Sequence, residues 1–223
     1  MKKTKIIMSL FTALIVIYMI IAVASAQTEK VKIISRVHPK YVIEEIRSSP
    51  HILYFNVGKY YFKAGRLDDS IEMFSKAVES DSDFAPGHYN LGVAYYEKKE
   101  FDSAMDEFRK ASELDSSYIK ARNSLAMLHF ELGDFNSAAE GFLDVIELDP
   151  EDPEANFNLA QSYVMRFRKS EESGSEDYTD LEHALYYLKK AEQLQPGFPH
   201  ASDNINIIQP ILDAREVLIR QVN

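Results

Sequence analysis

The sequence predicts an all-α chain of stacked antiparallel helix pairs. Three observations carry that expectation: a pattern that returns every 34 residues, glycines in short turns midway through the period, and prolines where it closes. Once Gly58 is aligned with Gly92, no freedom remains. Ala126 and Ala160 fall at the same place, with Val57, Leu91, Leu125 and Leu159 one residue earlier. Tyr61, Tyr95, His129 and Tyr163 lie three residues later. Ser70, Ala104 and Ala138 then coincide, followed by Phe74, Phe108 and Phe142, and by Ala77, Ala111 and Val145.

The spacing within one period gives each position its work. Val57, Gly58 and Tyr61 share one face of a helix. The small residue lets a neighbouring helix close in, and the ring fills the space beside it. Ser70, Phe74 and Ala77 mark the inner face of a second helix. Ala64-Gly65-Arg66 and Leu132-Gly133-Asp134 are turns in which glycine takes positive φ. Asp149-Pro150 and Gln195-Pro196 close second helices, because proline cannot continue one. Such a hairpin buries its apolar faces only against the next hairpin.

The segment NLGVAYYEKKEFDSAMDEFRKASELD, with counterparts from Phe55 and Asn123, resembles the tetratricopeptide repeat (TPR) family. The resemblance covers 51–84, 85–118, 119–152 and 153–198. It implies a superhelix of antiparallel helix pairs. The usual tryptophan near each repeat's start is replaced by Tyr54, His88, Arg122 and Asn156, and His129 stands at an aromatic packing position. In the fourth repeat, Ala184, Leu188, Ala191 and Pro196 come 46 residues after Ala138, Phe142, Val145 and Pro150. The excess of 12 falls between the two helices, within 167–180. Phe167 to Asp180 is acidic and serine-rich, which reads as an inserted solvated turn. Thr179-Asp180-Leu181-Glu182 reads as a capping box restarting the second helix.

The ends differ from the repeats. Lys2, Lys3 and Lys5 precede the uncharged run Ile6–Ala24, and Ala24-Ser25-Ala26 is a small-x-small cleavage signal. Residues 1–26 are read as a signal peptide, or as an uncleaved membrane anchor given the length of the apolar run. Either reading makes the rest extracytoplasmic (periplasmic, cell-surface or secreted). Residues 27–50 form a lead-in with a short helix expected over Tyr41 to Arg47. Residues 199–223 read as a C-terminal capping helix, kinked or divided at Pro210.

Composition narrows the function. The chain has 25 basic and 35 acidic residues, and removing the three lysines of residues 1–26 leaves 22 against 35, net −13. That balance argues against nucleic acid and anionic lipid as partners. The membrane enters only through the N-terminal segment. With no cysteine there are no disulfides, no haem-attachment motif and no lipidated cysteine. No GxSxG, HExxH or glycine-rich phosphate loop occurs, and none of the six histidines pairs with another at helical spacing. No enzyme, cofactor or metal is expected.

Binding is the expected function, and the resemblance implies that the groove lined by the first helices holds a peptide or partner helix. Asn56, Asn90, Ser124 and Asn158 recur one residue before the Val57 position, and carboxamides there suit an extended peptide backbone. Asparagine at that place is also ordinary consensus. Phe55, Phe62, Tyr89, Tyr96, Met127, Phe130 and Phe157 share the face, some as packing and some as groove. The resemblance also implies a clamp for a terminal carboxylate, known in some TPR proteins. Lys59, Asn90 and Lys120 lie near its places, but Phe55 and Ser124 leave it incomplete. Asn123 is placed with the groove residues. The expectation is a non-enzymatic exported scaffold or adaptor for another envelope protein. Two alternatives stay open: a chaperone for a secreted client such as an apocytochrome, and a homo-oligomer whose groove receives Val31 to Ser49 of a neighbouring copy.

Overall fold

The computed structural model describes residues 49–172, 174 and 177–222, and among them it contains nine helices and no strand. The signal or anchor segment and most of the lead-in, including Tyr41 to Arg47, lie outside the described residues. Contacts divide the chain into two compact units, Met1–Ser82 and Asp83–Asn223.

The first unit holds one described hairpin, α1 (Pro50–Lys63) and α2 (Leu67–Ser80). Phe74 is buried against Gly58, so closely that a Cβ on that glycine would stand 2.6 Å from the ring. The buried Ser70 hydroxyl donates to the Gly58 carbonyl at 3.1 Å. The turn between the helices is closed by Gly65 at φ 72°.

The second unit runs α3 (Ala85–Glu97), α4 (Phe101–Leu114), α5 (Ile119–Glu131), α6 (Phe135–Leu148), α7 (Pro153–Glu172), α8 (Thr179–Leu194) and α9 (Ala201–Val222). Each helix packs on its chain neighbour, and α5 also touches α7, so first helices lie side by side. The core is continuous from Ala126, Ala138 and Phe142 through Leu159 and Ala160 to Leu188, Ala201 and Ile208. Gly92 repeats the close approach, with a virtual Cβ 2.8 Å from the Phe108 ring and 3.2 Å from the Ala104 carbonyl. In the next repeat the small residue has changed helix: Gly141 on α6 lies against Ala126 on α5, 2.8 Å from virtual Cβ to Cβ.

Two expectations need correction and a third is narrowed. The stretch from Phe167 to Asp180 is not all turn. Helix α7 has 20 residues against 13 in α5, and it continues through Glu172. Phe167 explains this, because it is buried and its ring lies 5.3 Å from Tyr178 on the returning chain. The capping box at Thr179 does not form either. Asp177 Oδ1 instead accepts from both the backbone N–H and the hydroxyl of Thr179, at 3.0 and 2.6 Å, and Thr179 is already helical. Of the two outcomes expected at Pro210, division does not occur, since α9 stays helical on both sides of it. Ile208 and Leu212 hold the helix to the core across the missing N–H.

The middle turns differ in chemistry. Gly133 takes φ 77° where α5 meets α6, but the matching residue between α3 and α4 is Lys99, at φ 62°. A side chain there is strained by about 1 kcal/mol. Lys99→Gly should raise the thermal midpoint by that gain, while Gly92→Ala should cost about 1–3 kcal/mol by driving a methyl into Phe108. Calorimetry on both variants checks the pair, and an unchanged midpoint for Gly92→Ala would show that the ring moves away freely.

Candidate functional site: the first-helix face

The face formed by α3, α5 and α7 is laid down by the repeat. Residues on the opposite side of each helix are consumed by packing, Ala121 and Leu128 on α5 and Ala155 and Ser162 on α7 being almost wholly buried. The remaining side presents Tyr89, Tyr96, Asn123, Met127, Phe130, Phe157 and Asn158, all half-buried, with Lys120 exposed beside them. Phe55 and Phe62 are half-buried, and Asn56 and Lys59 exposed, on α1 of the first unit.

Most of the aromatic residues are engaged within their own repeats. Tyr89 packs against Phe108 and Tyr118 with centroids 5.8 and 5.2 Å apart, Tyr96 against Phe101 at 5.8 Å, and Phe130 against Phe135 at 5.3 Å. Phe157 meets Phe198 at 5.3 Å, and on α1 Phe55 meets Phe74 at 5.8 Å with Lys59 Nζ 5.2 Å from its ring centre. These rings are fixed at one edge by packing and present the other outward.

The asparagines divide into two kinds. Asn90 donates to the Pro86 carbonyl of its own helix at 2.8 Å, so half of its amide is already used. Asn123 Oδ1 and Asn158 Nδ2 are buried atoms with no hydrogen-bond partner within the protein. They sit on adjacent, touching first helices, one an acceptor and one a donor. In the third repeat, Asn123 and Asp152 take the places held by Tyr89 with Tyr118 and by Phe157 with Phe198. The aromatic row therefore has a polar break at Asn123. At the C-terminal ends of α3 and α5, the Tyr96 hydroxyl donates to Glu131 Oε1 at 2.6 Å. That bond, with burial second, pushes the Tyr96 phenol up to about 12.

Sequence reasoning named the residues that replace tryptophan but missed the partners of two of them. His88 and Glu107 are both largely buried, and the imidazole Nδ1 donates to Glu107 Oε2 at 2.6 Å. One repeat later Arg122 reaches Asp144 at 3.0 Å. In both cases a polar side-chain contact joins the first helix to the second where an indole would have packed, and for Arg122 it is an ion pair. The expected core histidine, His129, is only half-buried and lies 3.5 Å from Asp134, because the turn brings that carboxylate back over it. Elsewhere, an open concavity of about 330 Å³ between the start of α6 and the end of α7 is lined by Asp134, Asn136, Arg166, Lys169 and Asp180. Arg166 and Asp180 pair across it at 3.2 Å.

A stack of helical hairpins with a side-chain-lined first-helix face is the architecture of a protein-interaction scaffold, a class that is typically non-catalytic. The chain belongs to the tetratricopeptide-repeat family: models of the TPR repeat match residues 58–99, 85–118 and 123–179. No curated protein is a significant match. Among solved structures, the crystal structure of MamA is similar at 25% identity and TM-score 0.57, covering 68% of this chain and 83% of that one. MamA residues 41-end from Desulfovibrio magneticus RS-1 align at 15% identity and TM-score 0.62, covering 76% and 89%. The APC/C hetero-tetramer Cut9-Hcn1 aligns at 16% identity and TM-score 0.57, covering 71% of this chain and 29% of that one. The last two likenesses concern the fold alone.

The His88–Glu107 pair has a pH signature. Burial pushes the Glu107 carboxyl up, but hydrogen bonds from His88 and Lys110 outweigh it and hold the group below its ordinary 4.5. A carboxylate depressed on folding contributes stability in full above its unfolded value and loses it as pH falls through the folded one. Melting midpoints of the wild type and Glu107→Gln should therefore differ most near neutrality and converge as pH drops below 4.5. A gap that widened on acidification would assign the pair no stabilising part.

Proposed function

We propose that the chain is an exported, non-enzymatic scaffold whose first-helix face in residues 83–223 binds a peptide or helix of another envelope protein. Residues 6–24 hold it at the membrane or are removed after Ala26. The observation that carries the binding reading is the pair of unsatisfied amide atoms, Asn123 Oδ1 and Asn158 Nδ2. A buried polar group without a partner costs about 1–3 kcal/mol. Both side chains are only half-buried, so turning each amide toward a bound peptide group would give the first an N–H and the second a carbonyl. The half-buried edges of Met127, Phe130 and Phe157 around them offer apolar contact to the side chains of the same segment.

The test places a photo-crosslinking residue at Met127 in the full chain, expressed in its own host. A second probe replaces Tyr186, which is 61% exposed on α8 away from the first helices. A discrete adduct from 127, lost in Asn123→Ala/Asn158→Ala while circular dichroism is unchanged, is the expected result. Adducts from 186 alone would place the interaction off this face and overturn the reading. Protease protection of the chain in intact and opened cells tests export.

A further inference from the structure

Helix α9 carries more exposed apolar surface than a terminal cap needs. Ile207 is 63% exposed, Ile211 42% and Leu218 61%. Terminal repeats ordinarily turn a polar face outward, so this stripe calls for an explanation. Its register supplies one. Ala201 and Ile208, seven residues apart and buried, match Ala121 and Leu128 on α5, Ala155 and Ser162 on α7, and Gly87 and Ala94 on α3. Helix α9 packs on α8 just as α7 packs on α6 and α5 on α4. It is thus the first helix of a fifth repeat, and its exposed stripe belongs to the first-helix face.

This equivalence lines up side chains across all four first helices of the second unit. Six residues after the buried small residue stand Val93, Met127, Gln161 and Ile207. Ten residues after it stand Glu97, Glu131, Met165 and Ile211. Along the second row the face changes from two exposed carboxylates on α3 and α5 to apolar side chains on α7 and α9. Lys120 lies at the opposite end of α5, about 16 Å from Glu131 along the helix at ~1.5 Å per residue. Arg168 lies on the part of α7 that outruns α3 and α5.

We propose that this face takes a partner segment of matching polarity, apolar where it crosses α7 and α9 and basic where it reaches Glu97 and Glu131. The proposal rests on the binding reading above and specifies the partner's chemistry. Four helices spaced 8–10 Å apart make a track of roughly 30 Å. That length is spanned by about nine extended residues or about twenty helical ones. Opposite charge meets the acidic end, which steers association and makes it salt-sensitive. The apolar end contributes contact that salt does not screen.

The test uses the full chain in nanodiscs of zwitterionic lipid, with empty nanodiscs subtracted, and three fluorescent peptides. One carries Leu and Ile at one end and Lys at the other, one has the same residues interspersed, and one replaces Lys by Glu. The first should bind at least tenfold tighter than either control. Glu97→Gln/Glu131→Gln should weaken it and flatten its salt dependence, and Ile207→Ser/Ile211→Ser should weaken it tenfold with the salt dependence kept. Equal binding of all three peptides, or indifference to both variants, overturns the proposal. If the peptides are lost only in Asn123→Ala/Asn158→Ala, the face binds but its polarity does not select. If the unliganded chain is a dimer that Ile207→Ser/Ile211→Ser converts to monomer, the stripe's occupant is a second copy and the proposal falls.

Discussion

A phenylalanine ring lying on a residue with almost no side chain sets the spacing of the first three hairpins, and the rest of the chain is arranged around that contact. Phe74 on Gly58 and Phe108 on Gly92 leave no space for a methyl group. Phe142 occupies the same place beside Ala126, and there the extra methyl is offset by Gly141 on the opposing helix. The close approach is kept while the residue providing it changes. Interiors packed this tightly transmit a small change in volume rather than absorb it, so the position of every outward side chain depends on these contacts.

The outward face inherits its order from the inner one. Because the packing residues repeat at fixed offsets, so do the positions between them, and a difference in one repeat shows as a break in a row. Asn123 breaks the aromatic row, Glu97 and Glu131 give way to Met165 and Ile211, and the tryptophan place becomes His88–Glu107 and Arg122–Asp144. The backbone is periodic and the chemistry displayed on it is not. Specificity in a repeat scaffold resides in that departure.

Much of this was legible in the sequence, for a physical reason. Helix pairs stacked on one another must repeat their contacts, so aligning Gly58 with Gly92 located both helices of every hairpin and the excess in the fourth. What escaped was decided by contacts between side chains distant in sequence. Polar composition pointed to a turn after Phe167, whereas the ring of Tyr178 buries Phe167 and carries α7 onward. Glu107 carries no local mark of its role, because nothing nearby in sequence shows that His88, 19 residues earlier, reaches it. The seven-residue spacing of Ala201 and Ile208 was a readable signal that α9 is a repeat's first helix, but Asn206 and Gln209 at the usual small and aromatic places disguised it.

The attachment of α9 also has a consequence in time. Arg215 reaches back to Glu182 at 2.7 Å, and its guanidinium sits 4.9 Å from the centre of the Tyr178 ring, the ring on which Phe167 packs. The return of the chain after α7 is thus held by a residue on the helix after next. A chain emerging from its N-terminal end, whether from a ribosome or through a membrane pore, completes its earlier hairpins as they appear. The hairpin of α7 and α8 gains this latch only after α9 has followed it, so the fourth repeat is fastened by the helix that comes next rather than by its own residues alone.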